Sequence, residues 1–181
     1  CVLCFGFLAP YKGIETVLES ARQTGPRVQV VVAGGEHPRL AAGGDRYAEQ
    51  LRAQHGDHAR FTGHVPDAQV GPWFAAADLA VFMYPRPFSS SGALALAIAH
   101  GTPVLTSAAL ARTAGLPDAL ATADRAALTA RLDRLAQNRT ELAPLRAATA
   151  HLAAERSWAA VAARHLELYR EAADGPRTAR R

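Results

Sequence analysis

A chain of 181 residues, 49% hydrophobic and 20% charged, has the length and composition of one ordinary globular domain, which excludes a disordered or fibrous protein. Its formal net charge of +4 hints at nucleic acid, but Arg177, Arg180 and Arg181 crowd the end behind the breaker pair Gly175-Pro176 and leave the body nearly neutral. We therefore expect no nucleic-acid partner.

In chain order, Val2 to Leu8 reads as a short buried strand, and Ile14, Val17, Leu18 and Ala21 recur on one face of a helix that Gly25-Pro26 stops. Val28 to Ala33 is a second strand, ended by Gly34-Gly35. Asp45 to Gln54 predicts a polar helix, with His55 and His58 in the turn beyond it. Phe61 to Gly63 is a third strand; Asp67 is placed to cap a helix running through Trp73 to Ala77. Leu79 to Tyr84 is a fourth, wholly apolar strand. Ser89-Ser90-Ser91-Gly92 opens an Ala/Leu helix closed by His100-Gly101, and Pro103 to Thr106 is a fifth strand. From Asp124 onward only helix is expected, over Leu128 to Leu135, Leu142 to Leu152 and Trp158 to Tyr169.

Short strands apolar on both faces, alternating with helices, predict an α/β fold, an open doubly wound parallel sheet with carboxy-terminal helices. We expect one domain over residues 1–173, helical from about residue 113 with its last helix at 157–173, and a flexible basic tail at 174–181. Cys1 and Cys4 are too close for a relaxed disulfide, so a reduced, cytoplasmic protein is the expectation. Because the chain starts on Cys1 directly at a strand, we read its amino end as a domain boundary within a longer protein.

Ligands of such sheets bind beyond the carboxyl ends of the strands. The loops there are rich in glycine and hydroxyls. The run Ser89 to Ala93 opens a helix, whose first-turn N–H groups lack intrahelical acceptors and suit an anion. Those serines could equally just cap a core helix. Lys12 favours the anion, because every other basic residue is arginine and this one lysine lies just before Gly13 at another helix start. Dinucleotide and Walker A fingerprints, a nucleophile elbow and a histidine metal pattern are all missing from the sequence.

Together these segments resemble the carboxy-terminal, donor-binding half of family-4 (group 1) glycosyltransferases of the GT-B fold. The likeness rests on Phe5-Gly6-Phe7 through Tyr11-Lys12-Gly13-Ile14, Val30 to Gly35, Phe61-Thr62-Gly63-His64-Val65, Phe74 to Asp78, and Ser89 to Leu94 through Gly101-Thr102-Pro103-Val104. The resemblance implies retaining transfer of a hexosyl group from a nucleotide diphosphate sugar, with no metal or other cofactor. It implies that Lys12, Ser90, Ser91, Gly92 and Ala93 bind the donor diphosphate, and that Gly34, Gly35, His64 and Val65 surround the nucleoside. The partner it implies is an amino-terminal acceptor domain not included in this chain, without which the isolated piece is expected to be inactive; no membrane contact is indicated. The ending Ser157 to Tyr169 is similar to the family helix that crosses back to that domain.

The sequence also departs from the family. Phe88 and Leu96 stand where two motif glutamates are usual, and Phe7 where an arginine is usual. Neither apolar residue can accept a hydroxyl hydrogen bond. The competing class is therefore a degenerate, non-catalytic GT-B-like module that binds a nucleotide or a protein. A sugar-nucleotide epimerase and a receiver domain fit less well, the first for want of acidic loop residues and the second for want of a strand-end aspartate.

Overall fold

The structure is a computed structural model that describes residues 1–44, 46–87 and 91–174, with the side chains of residues 40, 41 and 174 excepted. Phe88, Ser89, Ser90 and the tail from residue 175 lie outside the described residues. The elements in order are β1 (Val2–Phe5), α1 (Ile14–Thr24), β2 (Val30–Ala33), α2 (Pro38–Ala42), α3 (Tyr47–His55), β3 (Ala59–Gly63), α4 (Asp67–Ala76) and β4 (Leu79–Phe82). There follow α5 (Gly92–Ala99), β5 (Val104–Ser107), α6 (Ala108–Ala114), β6 (Ala121–Thr122), α7 (Arg125–Gln137), α8 (Leu142–Glu155) and α9 (Trp158–Asp174).

The six strands pair in the order β3-β2-β1-β4-β5-β6, every described ladder being parallel. Sequence order runs outward from β1 in one direction and from β4 in the other, so the winding reverses between these two strands. The loops that leave their carboxyl ends are forced apart there, and a crevice opens between them. Strands β4 and β5 are buried along their whole length, as strands covered on both faces are; β4 is wholly apolar, whereas β5 ends on the buried polar residues Thr106 and Ser107.

Several elements are shorter than their apolar runs predict, each for a local reason. β1 stops at Phe5 because Gly6 turns the chain with φ +101°; Leu8 returns only as a single bridge to Glu36. Val28 stays in the turn, its N–H bonded to the Gly25 carbonyl, so β2 starts at Val30. β4 gives up Met83 and Tyr84, both buried, because its ladder with β5 ends at Phe82. Asp67 is the first helical residue of α4 rather than its cap; Pro66 holds that position, and the aspartate acts only as a negative charge in the first turn. The short α2, the two-residue β6 and the helix α6 are additions to the elements expected from sequence, and His55 is the buried last residue of α3 rather than part of a polar turn.

One core runs through both layers. Phe74 of α4 is fully buried, its ring 4.7 Å from that of Phe5 and stacked at 5.3 Å on His100. Thr102 donates to the Phe74 carbonyl at 2.9 Å, tying the end of α5 to α4. The carboxy-terminal helices do not form a unit of their own. Helix α7 lies along α1, where Ser20 Oγ donates to the Arg125 carbonyl at 3.4 Å and Arg125 pairs with Glu19. Helix α8 covers α5 and β5 through Leu145 and Leu152. Helix α9 rests mainly on α8 and exposes Trp158, Leu166, Leu168 and Tyr169. Among the described residues no helix is long and apolar enough to cross a membrane.

Gly13 shows how tightly the sheet end is packed. It takes φ +61°, ψ +36° at the start of α1, and a β-carbon there would lie 2.0 Å from the Met83 carbonyl oxygen. Gly115 has nearly the same left-handed backbone after α6, but its β-carbon would meet only the Arg156 guanidinium at 3.8 Å. Gly115→Ala should therefore cost only the left-handed strain, about 1–2 kcal/mol. Gly13→Ala should cost about 3 kcal/mol or more, because backbone must also move. Equal losses in urea unfolding would refute the close approach.

Candidate functional site

The crevice between β1 and β4 is where the loop residues converge. After Gly6 the chain runs beside the β2 loop, the Leu8 N–H bonding the Gly35 carbonyl at 2.9 Å, and a single 3-10 turn at Pro10–Lys12 ends on Gly13. That turn folds Lys12 back over the end of β1. A β-carbon on Gly6 would lie 2.7 Å from Lys12 Nζ and 3.5 Å from Ala93 Cβ. The ammonium, the bare backbone of Gly6 and the first turn of α5 thus occupy one spot.

Lys12 is mostly buried, and among the described residues no carboxylate forms an ion pair with it. Burial, the larger effect, pulls its pKa down from 10.5 to about 8 against the opposing influence of the nearby Cys4 sulfur. The Cys4 thiol is itself pushed up to about 12 by burial, so at neutral pH it carries no charge to balance the lysine. A half-buried cation without a counter-charge is the electrostatic signature of a site for an anion.

The start of α5 supplies the rest. Ser91 caps the helix, its Oγ accepting from the Leu94 N–H at 3.2 Å, and the Ala95 N–H bonds the Ser91 carbonyl at 3.0 Å. The N–H groups of Gly92 and Ala93 come before any helical acceptor. Among the described residues nothing lies within 4 Å of where a β-carbon on Gly92 would stand, so they leave that backbone open to a ligand oxygen. Of the proposed phosphate ligands the structure brings Lys12, Ser91, Gly92 and Ala93 together; Ser90 lies outside the described residues.

The second half of the expected site surrounds the β2 and β3 loops. Gly34 packs so closely on the β1 loop that a β-carbon would lie 2.0 Å from the Gly6 carbonyl oxygen, which gives this glycine a structural demand of its own. Gly35 faces His64, with a β-carbon distance of 3.4 Å, and Gly34 bridges Gly63. Val65 is buried. Phe7 is 45% exposed and meets the His37 ring edge-on at 5.6 Å, while Leu96, 40% exposed, lies one turn into α5. Phe88 is outside the described residues. Sequence reasoning missed Tyr84, whose hydroxyl is 2.9 Å from Ser91 Oγ. Its signal is slight, a polar tip at the end of an apolar run. A separate cavity of about 820 Å³ lies at the opposite, amino ends of β2 and β3 and contains none of these residues.

A Rossmann-like sheet with a cation and a helix start meeting at its switch point defines a class, an open α/β fold whose loop ends suit an anionic ligand. The chain belongs to the family of glycosyl transferases group 1, whose pattern matches residues 1–138. Among solved structures it is similar to HepE of Anabaena in complex with UDP and glucose, with 17% identity and a TM-score of 0.75 over 94% of this chain and 48% of that one. It is similar also to sucrose-phosphate synthase of Thermosynechococcus elongatus, with 25% identity and a TM-score of 0.73 over 94% of this chain and 44% of the other. The carboxy-terminal domain of LpcC, a group 1 glycosyl transferase family protein of Francisella tularensis, matches over 86% of this chain and 84% of its own, with 22% identity and a TM-score of 0.66. No curated protein sequence matches the chain. It spans about half the length of HepE and of the synthase.

The lysine makes stability depend on pH with a definite sign. Its folded pKa, about 8, is below its ordinary 10.5, so between these values the unfolded chain binds more protons and stability rises with pH. Below pH 8 the full penalty of burying the charge applies, and above 10.5 it is gone. Lys12→Met should accordingly be more stable than the parent at pH 7, the advantage shrinking by about 1–3 kcal/mol across that window. Urea titrations at a series of pH values measure it; a constant difference would refute the burial of the charge.

Proposed function

We propose that this chain is the donor-binding half of a retaining glycosyltransferase, which transfers a hexosyl group from a nucleotide diphosphate sugar to an acceptor held by an amino-terminal domain. The observation that carries this reading is the convergence of the Lys12 ammonium with the first turn of α5 over Gly6. A diphosphate there pairs the otherwise unbalanced lysine and accepts from the Gly92 and Ala93 N–H groups. As the glycosidic bond breaks, negative charge grows on the departing nucleoside diphosphate, and these fixed donors stabilise it more than the ground state.

The Gly35 and His64 backbones border the space beside that diphosphate and are the natural seat of the nucleoside. Support for retention and for a hexosyl donor comes from the family resemblance, as does the absence of a metal requirement. The complexes of HepE with UDP, with UDP and glucose, and with UDP-glucose agree with a nucleotide-sugar donor. A cytoplasmic location agrees with the free cysteines Cys1 and Cys4. The donor half forms one wall of a two-domain cleft, so transfer requires the partner domain.

A second reading, a module that binds a nucleotide without turnover, draws on the exposed apolar side chains of Phe7 and Leu96 at the rim. Calorimetry with UDP, GDP and ADP addresses both. At least one should bind, and Lys12→Ala should weaken it by about 1–3 kcal/mol, the usual loss for a charge-assisted hydrogen bond. Affinity should also fall as pH rises past about 8, where free Lys12 loses its proton, and not do so in the alanine variant. Absence of binding at millimolar concentration would remove the enzyme reading. Binding without transfer, once the chain is joined to its amino-terminal domain, would establish the module.

A further inference from the structure

Tyr84 sits where the end of the sheet meets the starts of two helices. It is buried at the exit of β4, with its ring edge-on to Phe82 at 6.4 Å and to Tyr11 at 6.1 Å. Its hydroxyl is 2.9 Å from Oγ of Ser91, the cap of α5. Its carbonyl accepts from Ser107 Oγ at 2.6 Å, and that same Oγ caps α6 by accepting from the Leu110 N–H at 3.2 Å. One residue is thus fastened to both capping serines, through its side chain to one and its main chain to the other.

The two attachments differ in what they can control. The bond to Ser107 uses main chain and survives any substitution at Tyr84. The bond to Ser91 depends on the phenol alone, and Ser91 is the residue from which the Gly92 and Ala93 N–H groups fan out. Ser91 Oγ already accepts from the Leu94 N–H, and a second bond, shared with the tyrosine hydroxyl, fixes its position against the sheet. A first turn held before the ligand arrives binds an anion without an added ordering cost.

We propose that Tyr84 is a positioning residue for donor recognition, its hydroxyl holding the Ser91 cap so that the first turn of α5 is preset for the diphosphate. This rests on the donor-binding reading above. It concerns the phosphate part of the ligand, since the Tyr84 hydroxyl meets Ser91, the cap of α5.

The test compares UDP, GDP and ADP with uridine, guanosine and adenosine on the chain and on Tyr84→Phe, which keeps the ring contacts and removes one oxygen. Tyr84→Phe should weaken the nucleoside diphosphate by roughly three- to tenfold, the loss of one hydrogen bond, with nucleoside affinity unchanged. Ser91→Ala should do the same, Ser91→Thr should retain affinity, and the double variant Tyr84→Phe/Ser91→Ala should be no weaker than the worse single. Unchanged diphosphate affinity in Tyr84→Phe, equal loss for diphosphate and nucleoside, or multiplied losses in the double variant would each overturn the assignment. If the parent chain binds Lys12-dependently while Tyr84→Phe behaves like the parent, only this inference fails; if the parent binds no diphosphate, the donor reading fails and takes this one with it.

Discussion

The site depends on backbone approaching backbone at the point where the sheet reverses its winding. Gly34 lies against the Gly6 carbonyl, Gly13 against the Met83 carbonyl, and Gly6 itself beneath the Lys12 ammonium. Any side chain at the first two would push the β1 loop away from its neighbours, and one at Gly6 would displace the lysine. The crevice is therefore made of main chain on its floor, with the Lys12 ammonium folded over it. Strand order creates the opening, and glycine lets the loops close down on it.

That arrangement sets stability against function. Burial disfavours the charged form of Lys12 relative to water, as its lowered pKa records, and the described residues offer it no carboxylate. Cys4, the nearest titratable neighbour in β1, stays protonated and cannot compensate. Pairing with an anion would offset that cost, because an ammonium and the first-turn N–H groups of a helix can satisfy the same oxygens. A carboxylate placed beside Lys12 would remove the same cost from within the chain.

Legibility in the sequence followed the range of the interaction involved. β4 was readable because burial on both faces leaves an unbroken apolar run, and α1 because its apolar residues share one face. β6 was not, since two residues carry no periodicity and Ala121–Thr122 extends only because Thr106 and Ser107 lie alongside. The cap of α5 could be placed among the serines, and Ser91 fills it; the cap of α4 could not, because Pro66 takes the extended backbone that Asp67 was assigned. Lys12 stood out as the single lysine, but its neighbours did not. The Tyr84 hydroxyl became significant only when β4 delivered it beside Ser91, and the Gly34 requirement only when the β1 loop lay against it.

What the sequence determined by itself was the alternation of strands and helices, hence a parallel sheet, and the residue types at its loop ends: glycines, serines and one lysine. These follow from local pattern, which a linear chain carries in full. Tertiary structure alone decided which loops are neighbours. The order β3-β2-β1-β4-β5-β6 sets the loop after β1 beside the loop after β4, and so brings Lys12 to Ala93 across 81 positions of chain. No local pattern encodes that distance; the pairing of β1 with β4 does.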